Sequence, residues 1–174
     1  MWSLFWYNYI MKIAVISDIH GNLAYLARAK KIIEEKKLKI VIICGDVQDI
    51  EAFKEIDTWK QKVYLSLGNA DYEIRYKLDS GVLISENIEV FLDYGVINID
   101  GAKIAFCHYP SFAKKLAEDE RYDVVFYGHN HKPWEEKIGK TVLLNPGEIQ
   151  ARDGRPTFAI YDIDKMKAEL IVLV

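Results

Sequence analysis

Five short runs of mostly apolar residues each end in a glycine or a polar turn that carries a carboxylate, an imidazole or an amide. Ile13-Ala14-Val15-Ile16 leads into Ser17-Asp18-Ile19-His20, Ile40-Val41-Ile42-Ile43-Cys44 into Gly45-Asp46, and residues 62–67 into Gly68-Asn69-Ala70-Asp71. Further on, residues 103–107 run into His108, and residues 123–127 into Gly128-His129-Asn130-His131. A run this apolar reads as a strand covered on both faces, the signature of a sheet buried between layers. In open α/β sheets, ligands gather at the carboxyl ends of such strands. The pattern therefore predicts a layered α/β chain with chemistry collected along one rim.

The segments between these runs agree. Leu23, Leu26, Ala27, Ile32 and Ile33 recur at helical spacing, and Lys30, Lys31, Glu34, Glu35, Lys36 and Lys37 supply a wet face. Strand, helix and strand in that order form a right-handed parallel unit. Residues 50–59 read as a second helix; residues 72–78 read either as a helix or as a loop over the site. From residue 88 the texture changes to short strands over 88–92, 96–99 and 103–107, with Asp100-Gly101 as a turn. A helix over 112–120 follows, then a hairpin of 134–138 and 141–144 across Gly139-Lys140, and two closing strands over 157–163 and 168–174. A mixed two-sheet core with flanking helices fits this order.

Residues 1–10 are aromatic and uncharged and precede a second methionine, Met11. They are too short to span a bilayer and lack a basic start or a cleavage site. They read as an extension upstream of a natural start at Met11, with an edge-packing arm or a subunit-contact arm for a homo-oligomer as the alternative; residues 11–174 read as a single domain. With 23 Lys and Arg against 26 Asp and Glu, the chain lacks the basic excess of a non-specific nucleic-acid binder. No membrane partner and no dedicated nucleic-acid surface are expected. Cys44 and Cys107 lie inside apolar runs, as reduced thiols of a cytoplasmic protein do. Cys44, two residues before Asp46, is the one that could face a site.

Side chains alternate along a strand, so Asp18 and His20 are expected to point the same way, forming a claw for a divalent cation. The plainer reading is that Asp18 or Asn22 caps the following helix. The chain holds four histidines, and all four fall in strand-end motifs. Imidazole-rich ligation disfavours magnesium and calcium and suits manganese, iron, nickel, cobalt or zinc.

Asp18-x-His20, Gly45-Asp46, Gly68-Asn69-x-Asp71, His108 and Gly128-His129-x-His131, in that order, resemble the calcineurin-like metallophosphoesterases, in particular their small bacterial and archaeal members. Asn145-Pro146-Gly147 matches the smaller members as well. The resemblance spans nearly everything from Met11 onward and implies a four-layer α-β-β-α sandwich with two mixed sheets. It also implies one metal ion held by Asp18, His20, Asp46 and His131, and a second by Asp46, Asn69, His108 and His129, with Asp46 bridging. Manganese leads the candidates for this pair. Two divalent ions less two carboxylates and a hydroxide leave about one positive charge to attract a phosphate oxygen. The implied reaction is hydrolysis of a small phosphodiester by attack of a metal-bridging hydroxide on phosphorus. Asp46, Asn69, Asp71 and His108 are its expected catalytic residues. Phosphomonoester or nucleotide hydrolysis is the nearest rival, and a protein-binding scaffold on the same fold a more distant one.

Several positions depart from the family pattern. Ala70 stands where many relatives carry a histidine that can assist the leaving group, so Asp71 is read as orienting an imidazole or, second, as a general acid. Tyr109-Pro110 replaces a common glycine after His108. Glu148 replaces a common serine and reads as an acid at the substrate mouth or as a solvated loop acid. Arg152 and Arg155 flank Asp153-Gly154 and could clamp a phosphate, although Asp-Gly is foremost a turn. Tyr72, Tyr76 and Tyr109 read as packing residues or as stacking partners for a nucleobase or aryl group.

Overall fold

The computed structural model describes residues 11–174; the extension expected over residues 1–10 lies outside the described residues. In chain order the elements are β1 (Lys12–Ile16), α1 (Leu23–Glu35), β2 (Ile40–Ile43), α2 (Ile50–Asp57), β3 (Lys62–Ser66), α3 (Tyr72–Asp79), β4 (Ile88–Phe91) and β5 (Tyr94–Ile99). There follow β6 (Ala102–Cys107), α4 (Pro110–Glu118), β7 (Val124–Phe126), β8 (Trp134–Ile138), β9 (Thr141–Asn145), β10 (Thr157–Asp162) and β11 (Lys167–Val172). Residues 72–78, ambiguous in the sequence, are helical within α3, whose buried residue is Ile74.

The first sheet has the order β11-β10-β1-β2-β3-β4 and the second β5-β6-β7-β9-β8. In the first, β1 to β4 run parallel and β10 lies antiparallel against β1. In the second, β6, β7 and β9 run parallel. Alternation sorts the strand residues into three apolar layers. Ile13, Val15, Ile42, Phe106, Val124, Phe126 and Tyr161 meet between the two sheets. Ala14, Ile16, Val41, Ile43 and Leu65 face outward onto Leu26, Ile33, Phe53, Ile56 and Ile74 of α1, α2 and α3. On the far side, Ala105, Val125, Tyr127 and Leu143 meet Ala113, Leu116 and Ala117 of α4. The result is α-β-β-α, with three helices covering one sheet and α4 the other.

The Cys44 side chain belongs to the layer between the sheets and Cys107 to the layer under α4. Both thiols are free and buried, and burial pushes Cys107 up to about 12. The idea that Cys44 faces the site is therefore corrected: its carbonyl faces the site residues and its sulfur does not. Among the described residues no helix is long and apolar enough to cross a membrane.

Candidate metal centre

The carboxyl ends of β1, β2, β3, β6, β7 and β9 open on one rim, and the loops beyond them carry the side chains in question. β1 ends at Ile16, so Asp18 and His20 do not share a strand face as the alternation argument supposed. Ile19 between them is buried in the core, and both flanking residues turn through left-handed backbone, at φ 52° and 43°. Asp46, His129 and His131 do the same at φ 56°, 73° and 60°. Such conformations cost non-glycine residues energy and persist where the surroundings over-determine them. Gly45, at φ 85°, admits no side chain, since a Cβ would stand 2.8 Å from both the Gly68 N and His108 Nδ1. A Cβ on Gly128 would overlap Ser17 Oγ and crowd Asp18 Oδ2. Those two glycines let the loops close on one another.

Two groups of ligand atoms result, sharing a single oxygen. Asp46 Oδ2 lies 3.4 Å from His20 Nε2 and 3.3 Å from His108 Nε2. On the first side, Asp18 Oδ1 is 3.4 Å from His131 Nε2 and 3.9 Å from His20 Nε2. On the second, Asn69 Oδ1 is 3.1 Å from His108 Nε2 and 3.0 Å from His129 Nδ1. The other oxygen of Asp46 is occupied, accepting the Ala70 N–H at 2.8 Å. The structure thus brings together Asp18, His20, Asp46, Asn69, His108, His129 and His131.

The outer nitrogens of three imidazoles fix their tautomers. His20 Nδ1 donates to Gln48 Oε1 at 2.6 Å, His108 Nδ1 to the Cys44 carbonyl at 2.8 Å, and His131 Nδ1 to the Asp153 carboxylate. Each partner oxygen only accepts, so Nδ1 is the donating nitrogen of each ring and Nε2 is the nitrogen turned inward. His20 Nε2 is buried and finds no hydrogen-bond partner among the described residues. Lone pairs converging on carboxylate and amide oxygens repel one another unless a cation lies among them. This donor set fits two divalent ions of the nitrogen-tolerant kind.

Protons respond to the same crowding. Burial pushes the Asp18 carboxyl up. For Asp46 burial opposes ionisation, but the hydrogen bond and charge of His108 outweigh it and hold the carboxyl down. For His108 burial likewise works against the cation, and Asp46 outweighs it to push the imidazole up. A metal ion held by His108 would take the place of its inner proton, so uptake would release a proton and weaken as pH falls.

Asp71 requires a correction. Its carboxylate meets no imidazole; it is buried and accepts the backbone N–H groups of Asp46 at 2.8 Å, Gln48 at 2.7 Å and Gly68 at 2.8 Å. It ties the β2 and β3 loops together. Of the two proposed caps, Asn22 caps α1 by accepting from the Tyr25 N–H, whereas Asp18 accepts from the His129 N–H. Glu148 is no solvated loop acid: it is fully buried, and its Oε1 accepts the N–H groups of Asp153 and Gly154, each at 2.7 Å. Its Oε2 lies 3.5 Å from His131 Nδ1. The bend at Asp153-Gly154 is built around this acid and leaves Arg152 and Arg155 exposed on either side.

The sequence reading missed Gln48, Asp153 and Gln150 as partners of imidazoles, the last with its Nε2 3.0 Å from His131 Nδ1. Gln48 had a signal, its position two residues beyond Asp46; Asp153 was hidden inside a turn motif. Replacing Asp153 by Asn is expected to weaken metal binding on the His131 side by about 10- to 100-fold, the usual scale for such outer partners. Chelator competition on the purified variant measures this, and unchanged affinity would reduce the Asp153 contact to surface decoration.

A family model described as the calcineurin-like phosphoesterase superfamily domain matches residues 11–166. Phosphodiesterase MJ0936 of Methanocaldococcus jannaschii is 31% identical over 166 residues, covering 94% of this chain and 99% of that protein. Phosphodiesterase YfcE of Escherichia coli K12 is 23% identical over 159 residues, with 83% of each chain covered. Among solved structures, that of an archaeal phosphodiesterase superposes with a TM-score of 0.84 at 32% identity, covering 94% of this chain and all of that one. Vps29 of Chaetomium thermophilum shares the fold at a TM-score of 0.69 and 14% identity, covering 93% and 95% of the two chains.

Proposed function

This chain belongs to the calcineurin-like phosphoesterase superfamily, and we propose that it is a dinuclear metal-dependent phosphodiesterase. The observation that carries the reading is the single oxygen, Asp46 Oδ2, set between His20 Nε2 and His108 Nε2 at nearly equal distances of 3.4 and 3.3 Å. A pair of divalent ions bound there supplies charge for the phosphoryl oxygens and activates water as the nucleophile.

The chain's own residues do the rest. Asp18 and Asp46 set the number of negative charges at the centre to two, leaving it attractive to a phosphodiester anion. Asn69 adds a ligand oxygen without adding charge. Gln48, the Cys44 carbonyl and Asp153 hold the outer nitrogens of three rings and so turn Nε2 of each toward the centre. With Ala70 in place and all four histidines committed, no imidazole is free to protonate a leaving group. That favours esters whose leaving oxygen departs readily, aryl phosphodiesters above all. Residues 11–174 act as one domain in this proposal.

Chelator-stripped protein is expected to be inactive toward bis(p-nitrophenyl) phosphate. Manganese or nickel is expected to restore turnover, magnesium much less, and p-nitrophenyl phosphate to be the slower substrate. Turnover by stripped protein, or none with two ions bound, would remove the proposal. A monoester rate above the diester rate would replace it with a phosphomonoesterase.

A further inference from the structure

A groove of about 680 Å³ opens beside the His108 half of the centre, shares Asn69 with it and is lined on that side by Gly68 and Asp71 as well. Tyr72, Leu92, Tyr94, Tyr109 and Phe112 line it. Four of these are conspicuously exposed for their size: Tyr72 at 77%, Tyr109 at 45%, Leu92 at 44% and Tyr94 at 43%. Isolated exposed apolar residues are ordinary; several rings around one concavity next to a charged centre mark a ligand site. Tyr94 is braced edge-on against Phe112, with ring centroids 5.3 Å apart.

Tyr109 joins the groove to the centre. Its ring packs edge-on against both His108 and His129, each at 5.2 Å between centroids. Tyr109 thus stands between the candidate centre and the groove, where it would meet an ester substituent leaving the centre on the His108 side. Charge does not select that substituent: of the three charged lining residues, Asp71 is taken up by three backbone N–H groups, and Arg75 and Asp93 are of opposite sign. Ring contact does, and the volume accommodates a group as large as a nucleoside.

We propose that this groove seats a planar aromatic ester group of the substrate, a nucleobase or an aryl ring, with Tyr72 as an open stacking face and Tyr109 as the guide from the metal centre. The assignment rests on the phosphodiesterase reading and narrows its substrate class to aromatic esters. Stacking of a base on one aromatic ring is sequence-tolerant and lost on truncation to alanine. Tyr72 is the residue to change, since its exposure keeps the fold out of the experiment.

The test is calorimetric binding of methyl phosphate, phenyl phosphate and thymidine 5′-monophosphate to manganese-loaded protein, beside turnover of bis(p-nitrophenyl) phosphate. At least one aromatic ester is expected to bind wild type tenfold or more tightly than methyl phosphate. In Tyr72→Ala that preference is expected to fall by about fivefold or more, and in Tyr72→Phe to be retained. Preference for the nucleotide alone assigns the groove to a nucleobase, and for both aromatic esters to any aryl ring. Turnover without an aromatic preference, or a preference that survives Tyr72→Ala, overturns the groove while sparing the hydrolytic reading. Preference without turnover keeps the groove and overturns hydrolysis; absence of both overturns both.

Discussion

Replacing Asp46 by Asn is expected to lower kcat/KM for an aryl phosphodiester by about 10³-fold or more, at almost no cost to folding. The two oxygens of Asp46 have different tasks: Oδ1 accepts the Ala70 N–H, and Oδ2 lies between the imidazoles of His20 and His108. An amide has one oxygen. If that oxygen keeps the Ala70 bond, an NH₂ group with no lone pair takes the bridging place. If the amide flips, NH₂ faces N–H at Ala70 and the bridging atom is a neutral oxygen. Either arrangement removes one negative charge from between two cations. The residue is 2% exposed and keeps its volume, so no cavity forms and thermal unfolding should move little. Metal analysis should find fewer than two tightly held ions per chain. A variant that retained both ions and lost less than tenfold in rate would show that the shared oxygen is not the bridge.

The candidate ligand side chains were legible because their types are costly to hold together for most other purposes. All four histidines and two acids fell at strand ends, and a cation placed among groups so crowded offsets the repulsion of their lone pairs. The mechanism of their convergence was not legible. Strand alternation was offered for Asp18 and His20, and left-handed turns are what deliver them; nothing in the residue types at these positions announces a positive φ. The outer partners were hidden for a different reason. Asp153 lies 22 residues from His131 and Gln48 lies 28 from His20, and each reads locally as turn or loop chemistry. Much the same division holds in the fold. Runs such as Ile40 to Cys44 announced strands covered on both faces, and three apolar layers supply that cover. The insertion of β10 beside β1, antiparallel to it, joins residues about 150 apart, and no local pattern encodes a pairing of that range. Residues 72–78 stayed ambiguous because α3 buries Ile74 and leaves its other faces wet, a burden too small to impose a clear helical period.

Asp71 separates an architectural role from a chemical one, and the two predict opposite patterns across substrates. Truncation to Ala strands three backbone N–H groups, of Asp46, Gln48 and Gly68, in a buried place. Unpaired buried donors and lost charge-assisted bonds together should cost about 3–5 kcal/mol. For a chain of this size that is a fall in Tm on the order of 10 °C. Asn in its place can keep the bonds to Asp46 and Gly68 on one oxygen, but turns its NH₂ toward the Gln48 N–H, and should destabilise by about 1–3 kcal/mol. Activity should drop as well, because the Asp46 and Gly68 loops carry ligands, and the drop should be of equal size for p-nitrophenyl and for poorer leaving groups. A general acid behaves otherwise. Its removal spares a nitrophenolate, which departs without a proton, and penalises an alkoxide increasingly as the basicity of the leaving oxygen rises. Plotting the variant's rate loss against leaving-group pKa therefore decides between them. A flat line with a lowered Tm assigns Asp71 to the joint between two ligand-bearing loops; a steep line with an unchanged Tm returns it to proton transfer.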